Sequence, residues 1–350
     1  MKTTESKMKL KSTTYRMPAE WEKHKATWLT WPHNPETWPD LAHMKEIYGD
    51  MISALTGGED IRLLVNDSKE EEDVRRKLSK KKINLSKVTF LQIPTTDAWI
   101  RDYGPNFIVS SDQLVVNQWV FNAWGEKYEE HKLDNEAAKQ IISLLKIPKI
   151  ETNMVLESGS IDSNGKGTIL TTEECLLNSN RNESLTKAKI ESKLRQYLGA
   201  EEVIWLSEGI EGDDTDGHID DIARFVNENT VVCVTETNPK DDNYQILCEN
   251  KKRLLCAHDQ NGKKLNVVDL PMPKPLFAGT GERLPASYAN FYIGNRAVLV
   301  PVFGDPNDKE ILKIFKTLFP NRSIVGISSN ILVHGLGGIH CITHEEPAVF

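Results

Sequence analysis

The chain has 350 residues, 39% hydrophobic and 27% charged, enough to bury the core of one large domain or two ordinary ones. A formal net charge of -8 argues against nucleic acid or an anionic membrane as the main partner, since both need clustered Lys and Arg, whereas an acidic protein draws small cations. The polar start MKTTESKMKLKSTTYRMP has no signal-peptide core and no later stretch has the roughly 18 apolar residues of a membrane span, so a cytoplasmic protein is expected.

At the front, ATWLTWP reads as a strand, PDLAHMKEIYGDMISAL as a helix and DIRLLVND as a second strand. A further helix and strand, KEEEDVRRKLSK and VTFLQIP, follow without fitting the count of what comes next. Four segments then read as apolar strand, polar turn, apolar strand: FIVSSDQLVVNQW, GSIDSNGKGTILTTE, ARFVNENTVVCVTE and NFYIGNRAVLVPVF. A helical pattern and a short strand follow each. They are DNEAAKQIISLLK with NMVLE, ESLTKAKIESKLRQYL with EEVIWL, DDNYQILCENKKRLLCAH with LNVVDL, and NDKEILKIFKTLF with SIVGIS.

The unit is hairpin, helix, strand, and the front segment is a fifth copy with a poorly marked hairpin. About five units of roughly 50 to 70 residues fill the chain, which is the signature of a closed or stacked array. An α/β ring of blades around a central site is therefore expected, against the alternative of an ordinary α/β domain whose hairpins match by chance. No Pro-, Gly- or Ser-rich linker divides the chain, so residues 1–350 are expected to form one domain.

If the units surround one centre, chemically loaded residues should recur at one place in the unit. Just before the first hairpin lies DAWIRDYGP, with Trp99, Arg101 and Asp102; before the second, VLESGS with Glu157; before the third, EGDDTDGHIDD with His218 and Asp220. Cys341, in GGIHCITH, follows the last strand, which in a closed ring adjoins the first unit. Remote segments would thus bring Asp102, Glu157, His218, Asp220 and Cys341 to one pocket.

The same residues also admit duller readings. The acidic run around His218 fails as a calcium loop, because Ala223 stands where the bidentate Glu should be. His218 and Asp220, two residues apart, would share a face if they lay on a strand. HCITH has helical metal-ligand spacing, but the glycines before it and Pro347 after it disfavour a helix, and no third ligand is evident. The five cysteines include no CxxC pair, so neither a disulfide framework nor a zinc site is suggested. Cys175, Cys233, Cys248 and Cys256 read as inert core residues.

A cysteine nucleophile needs its thiolate, with His218 as general acid and base and Glu157 orienting that imidazole and favouring its charged form. Asp102 and Asp220 are odd company for a thiolate, since negative charge raises its pKa. A cationic guanidinium substrate resolves the conflict: paired carboxylates match its N–H fork and its charge favours ionisation of the sulfur. Attack by Cys341 would give a covalent S-alkylthiouronium and ammonia, and water activated by His218 would release a ureido product. No metal or organic cofactor is required.

The stretches MPAEWEKHKATWLTWP, WIRDYGP, LESGSI with GTILTTEECLLNSNRN, DDTDGHIDD, SYANFYIGN and GGIHCIT run in this order through nearly the whole chain. In them the sequence resembles the agmatine deiminase family, within the bacterial-type peptidyl-arginine deiminase group of the guanidine-modifying pentein superfamily. The resemblance implies a five-bladed α/β propeller and hydrolysis of agmatine to N-carbamoylputrescine and ammonia. It implies Cys341 as nucleophile, His218 as general acid/base, Glu157 as the carboxylate near it, Asp102 and Asp220 as guanidinium-binding groups, and Trp99 as a pocket tryptophan. Ser158, Asp162, Asp221 and His344 depart from the family's usual residues and bear on which guanidine is accepted. The alternatives are a deiminase of peptidyl-arginine or another alkylguanidine, an amidinotransferase, and a non-catalytic cation-binding protein. Oligomeric state, including a homo-oligomer, stays open.

Overall fold

Strand β1 (His24–Thr30) pairs in parallel with β2 (Asp60–Val65), which pairs in parallel with β3 (Val88–Gln92). The computed structural model describes residues 15–111, 113–129 and 132–349; residues 1–14, most of the polar start, lie outside the described residues. Two helices make the crossovers, Leu41–Leu55 and Ser68–Lys80, and each begins on an aspartate whose carboxylate accepts a backbone N–H three residues on. In the first helix Met44, Ile47, Tyr48, Met51, Ile52 and Leu55 form the buried stripe, at the spacing a helix needs to present one apolar face.

The four hairpins form as expected, each followed by a helix and a parallel third strand. The first is β4 (Asn106–Val109) and β5 (Leu114–Val120), then helix Lys132–Leu145 and β6 (Lys149–Val155). The second is β7 (Asp162–Ser163) and β8 (Thr168–Thr172), then helix Lys187–Leu198 and β9 (Glu202–Leu206). Gly199 ends that helix in the left-handed region at φ 70°, where a side chain would be strained and would also meet the Tyr15 carbonyl. The third is β10 (Ala223–Asn227) and β11 (Thr230–Thr235), then helix Asn243–Cys256 and β12 (Asn266–Pro271). The fourth is β13 (Tyr292–Ile293) and β14 (Ala297–Val302), then helix Asp308–Leu318 and β15 (Ser323–Ser328).

The poorly marked fifth hairpin has a topological cause. Its missing strand is the chain's end: β16 (His344–Pro347) returns to pair antiparallel with β1. The extra helix and strand at the front simply add β3 to the outer edge of the same sheet. Five small sheets result, the blades of an α/β propeller closed by joining the two ends of the chain. Helix Leu41–Leu55 also packs on β14 and β15, so the first unit covers the last.

Burial runs from the centre outward. The first strands β4, β7, β13 and β16 are buried at every residue, whereas the third strands β6, β12 and β15 are mostly half-buried or exposed. Inner strands are covered by neighbouring blades on both sides and so read as unbroken runs. Four apolar cores fill the spaces between blades; the largest links residues of β9 through β12 with β13 and β14. Among the described residues no helix is long and apolar enough to cross a membrane.

Candidate active site

The residues that precede each hairpin gather at one end of the inner strands. Trp99 and Asp102 sit at a single buried helical turn, Ile100–Tyr103, before β4; Glu157 precedes a tight turn before β7; His218 and Asp220 flank another before β10. The last pair therefore lies on a 3₁₀ turn rather than on a strand, because Gly217, at φ 84°, turns the chain there before the ladder begins. Cys341 immediately precedes β16, the innermost strand of the first blade.

Gly159 shows how tightly these groups converge. A Cβ added to it would lie 2.6 Å from His218 Nδ1, 2.8 Å from Asp102 Oδ1 and 3.1 Å from Asp220 Oδ2. Its own N–H donates to Asp102 Oδ1 at 3.1 Å, and His218 Nδ1 stands 3.8 Å from that oxygen. Cys341 Sγ is 3.8 Å from Asp220 Oδ2, and Glu157, His218 and Cys175 hold polar atoms within 4.8 Å of one another. Trp99 borders the same cavity as Asp102 and Cys341, and the glycine run lies against its ring: a Cβ at Gly337 would come within 2.5 Å of it. All six residues singled out in the sequence therefore meet.

The cavity above them has a volume of about 480 Å³, within the range of small-molecule sites. Six carboxylates line it, from Glu36, Asp97, Asp102, Glu129, Asp134 and Asp214, with one lysine, Lys127, that is already paired with Asp214 and Asp216. Trp124 hangs over the mouth on a strained segment: Ala123, Trp124, Gly125 and Glu126 all have φ between 54° and 93°, and the indole N–H donates to Asp102 Oδ2 at 2.9 Å.

Several buried polar atoms face no protein partner among the described residues: both ring nitrogens of His218, Glu157 Oε2 and Asp220 Oδ1. Buried polar groups are ordinarily satisfied, so a set of such atoms close to Asp102 and Cys341, which line the cavity, is what a polar ligand would complete.

Burial and like charge oppose ionisation at this site. Burial, and then Glu157, push the Asp102 carboxyl up to about 7; burial and Asp102 push Asp220 well above the carboxylate range. Burial raises the Cys341 thiol well above its usual value, with Asp220, Asp221 and Asp102 adding to it. His218 is pushed well down by burial and then by the Arg181 cation. This corrects the expectation that Glu157 favours a charged His218: Arg181 Nε donates to Glu157 Oε1 at 2.7 Å, so that carboxylate is already matched.

Two groups of side chains could approach a metal ion, Glu157 with Cys175 and His218, and Asp220 with Asp221 and Cys341. In the first, Glu157 Oε1 already accepts from Arg181, and in both burial holds the thiol well above its usual pKa.

Other residues at the site were not singled out from the sequence. Asn290 Nδ2 lies 3.2 Å from Cys341 Sγ and donates to Asp221 Oδ1 at 3.0 Å, while its Oδ1 accepts the His340 N–H at 2.7 Å. A signal for it existed, since it stands just before β13, the place in the fourth unit that matches Asp102, Glu157 and Asp220. Arg181 and Trp124 had none: one is reached from another blade's loop and the other from a left-handed segment. Cys248 and Cys256, read as core, are exposed, because the buried side of helix Asn243–Cys256 runs through Leu247, Asn250 and Leu254.

A model of the Porphyromonas-type peptidyl-arginine deiminase family matches residues 16–347. Agmatine deiminase of Medicago truncatula is 36% identical over 370 aligned positions, covering 96% of this chain and 97% of that protein. Among solved structures, agmatine deiminase of Enterococcus faecalis superposes with a TM-score of 0.90 at 33% identity, over 97% of this chain and 99% of that one. A C. jejuni agmatine deiminase with substrate bound gives 0.86 at 31% identity, over 96% and 97%. Sequence kinship over nearly the full length and a shared backbone agree with the converging motifs, and the chain belongs to the Porphyromonas-type peptidyl-arginine deiminase family.

Proposed function

We propose that the chain hydrolyses agmatine to N-carbamoylputrescine and ammonia through a covalent intermediate on Cys341. The guanidinium docks between Asp102 and Asp220, with its chain along Trp99. Its positive charge offsets the carboxylates that otherwise hold the thiol protonated, so the nucleophile ionises when substrate arrives. His218, neutral in the empty site, takes the thiol proton; the sulfur attacks the central guanidinium carbon.

The tetrahedral adduct expels one nitrogen, which receives the proton from His218 and leaves as ammonia. A thiouronium remains on Cys341. His218 then removes a proton from water as it adds to the same carbon, and the carbon–sulfur bond breaks to free the ureido product and the sulfur. Glu157, fixed by Arg181, orients the imidazole.

The acidic lining of the cavity is the observation that carries the choice of substrate. An ammonium at the far end of agmatine meets an acidic lining that includes Glu36, Asp97 and Asp134, whereas the carboxylate of free arginine meets, among the described residues, only Lys127, which already pairs with Asp214 and Asp216. Agmatine deiminases among its relatives support the same choice. Ammonia release from agmatine, arginine and a peptidyl-arginine, by wild type and Cys341→Ala, tests it. Agmatine is expected to be turned over far faster than the other two, and the variant not at all. Release by the variant would end the mechanism; preference for peptidyl-arginine would end the substrate assignment.

A further inference from the structure

His340, beside the proposed nucleophile, is buried between two carboxylates from remote parts of the chain. Its Nδ1 lies 2.7 Å from Asp220 Oδ2 and its Nε2 lies 2.7 Å from Glu20 Oε2. A neutral imidazole donates through one nitrogen and accepts through the other, so two ionised carboxylates at this range would leave a ring lone pair facing an anion. The trio must hold one proton more than neutral histidine with two carboxylates.

Glu20 has little need of that proton. Its Oε2 accepts from Arg224 at 2.8 Å and from Arg101 at 3.4 Å, and its Oε1 accepts the Ile293 N–H at 2.7 Å. Asp220 has the opposite setting: its Oδ1 has no partner among the described residues, its Oδ2 faces only His340 and the Cys341 thiol, and Asp102 is close by across Gly159. In the empty site the proton therefore belongs on Asp220 Oδ2, with Nδ1 accepting it and Nε2–H donating to Glu20. The directions agree, since burial holds Asp220 well above and His340 well below their ordinary values.

Docking a guanidinium changes that balance, because the cation needs Asp220 ionised. We infer that His340 is the internal base for this step: the Asp220 O–H bond breaks, an Nδ1–H bond forms, and the resulting imidazolium donates to both Asp220 and Glu20. The inference rests on the guanidine reading above. Charge is conserved within the trio and no proton from Asp220 reaches solvent. The other charges around His340 are Arg101, whose Nε points at the His340 carbonyl at 3.3 Å, Arg224, and the pair of Glu345 with His344. Arg101 joins Glu20 to Glu345, so the imidazolium forms inside a lattice of alternating sign. His340 is a positioning residue here, acting on substrate through Asp220.

The test compares proton uptake or release when agmatine binds Cys341→Ala and Cys341→Ala/His340→Gln, by titration calorimetry at pH 6 in buffers of different ionisation enthalpy. Asp102 and the acids of the lining release the same protons in both variants, so with glutamine, which cannot take a proton, about one proton more per agmatine should leave than with histidine. A purely structural His340 would change affinity and leave the count alone, and an unchanged count overturns the inference. Should the double variant fail to fold, ¹⁵N resonances of the His340 ring in Cys341→Ala decide it: both nitrogens protonated only when agmatine is bound supports the inference, and the same state with and without agmatine refutes it. No binding of agmatine to Cys341→Ala would refute the substrate reading itself, with this step falling as a consequence.

Discussion

At the scale of single residues, crowding around Gly159 is the feature most open to test. Three functional groups pack where its side chain would be, and none can retreat without leaving the site: His218, Asp102 and Asp220 are all buried. Gly159→Ala should therefore lower kcat/KM for agmatine by on the order of 10²-fold, the effect of displacing reacting groups by a fraction of an ångström. Gly279→Ala, where an added methyl meets nothing within 4 Å, should be silent. Steady-state kinetics of both variants check this, and equal activities would show that the three groups do not act together. Five of the proposed site residues were legible because each carries a chemical type that stands out, a thiol, an imidazole or an acid, at one place in a repeat, and Trp99 because it shares that place with Asp102. Asn290 occupied that same place unnoticed, since an amide has no chemistry of its own to advertise.

At the scale of elements, closure depends on β16, which supplies the innermost strand of the first blade and the segment that carries Cys341. Glu346 fastens it: fully buried, it accepts from Arg62 Nε at 2.5 Å and Nη2 at 3.1 Å, from Trp28 Nε1 at 3.1 Å, and pairs with Lys25 at 3.1 Å. Glu346→Ala leaves Arg62 and Trp28 without their acceptor, and breaking a buried pair in this way costs about 3–5 kcal/mol. Because Arg62 keeps some contact with solvent, the lower end of that range is expected. Chemical denaturation should register it as a lower midpoint with an unchanged slope, and a loss under about 1 kcal/mol would show that β16 is held mainly by its backbone ladder. The four complete hairpins could be read from alternation and turn residues because their strands are neighbours in sequence. The fifth could not, since its two strands are more than three hundred residues apart and no local pattern marks their pairing.

At the scale of the whole molecule, the ring concentrates buried acids at its centre. Asp102 and Asp134 are raised to about 7 and Asp162 to about 6, all chiefly by burial. A carboxyl raised in the folded state contributes stability that is fully present below its unfolded value near 4 and is lost as pH rises through the folded one. These carboxyls therefore lower the stability of the ligand-free protein from pH 5.5 to pH 8, whereas His218, His340 and His344, held down by burial, raise it over the same range, so the two melting temperatures should differ little. Agmatine bound to Cys341→Ala should raise the melting temperature more at pH 8, where its cation meets ionised Asp102. Calorimetric scans at the two pH values check both, and a larger ligand shift at pH 5.5 would contradict the proposed grip. A single transition would fit the expectation of one domain over residues 1–350; two would not.

Sequence alone determined the repeating unit and the α/β class and marked the groups proposed to react, because alternation, helical spacing and side-chain chemistry are local properties. Tertiary structure decided how the charged groups are partnered: that Glu157 is matched by Arg181, that the ring nitrogens of His218 have no hydrogen-bond partner among the described residues, and that His340 bridges Glu20 and Asp220. A pKa depends on burial and on charges brought from remote parts of the chain, and neither exists until the ring closes.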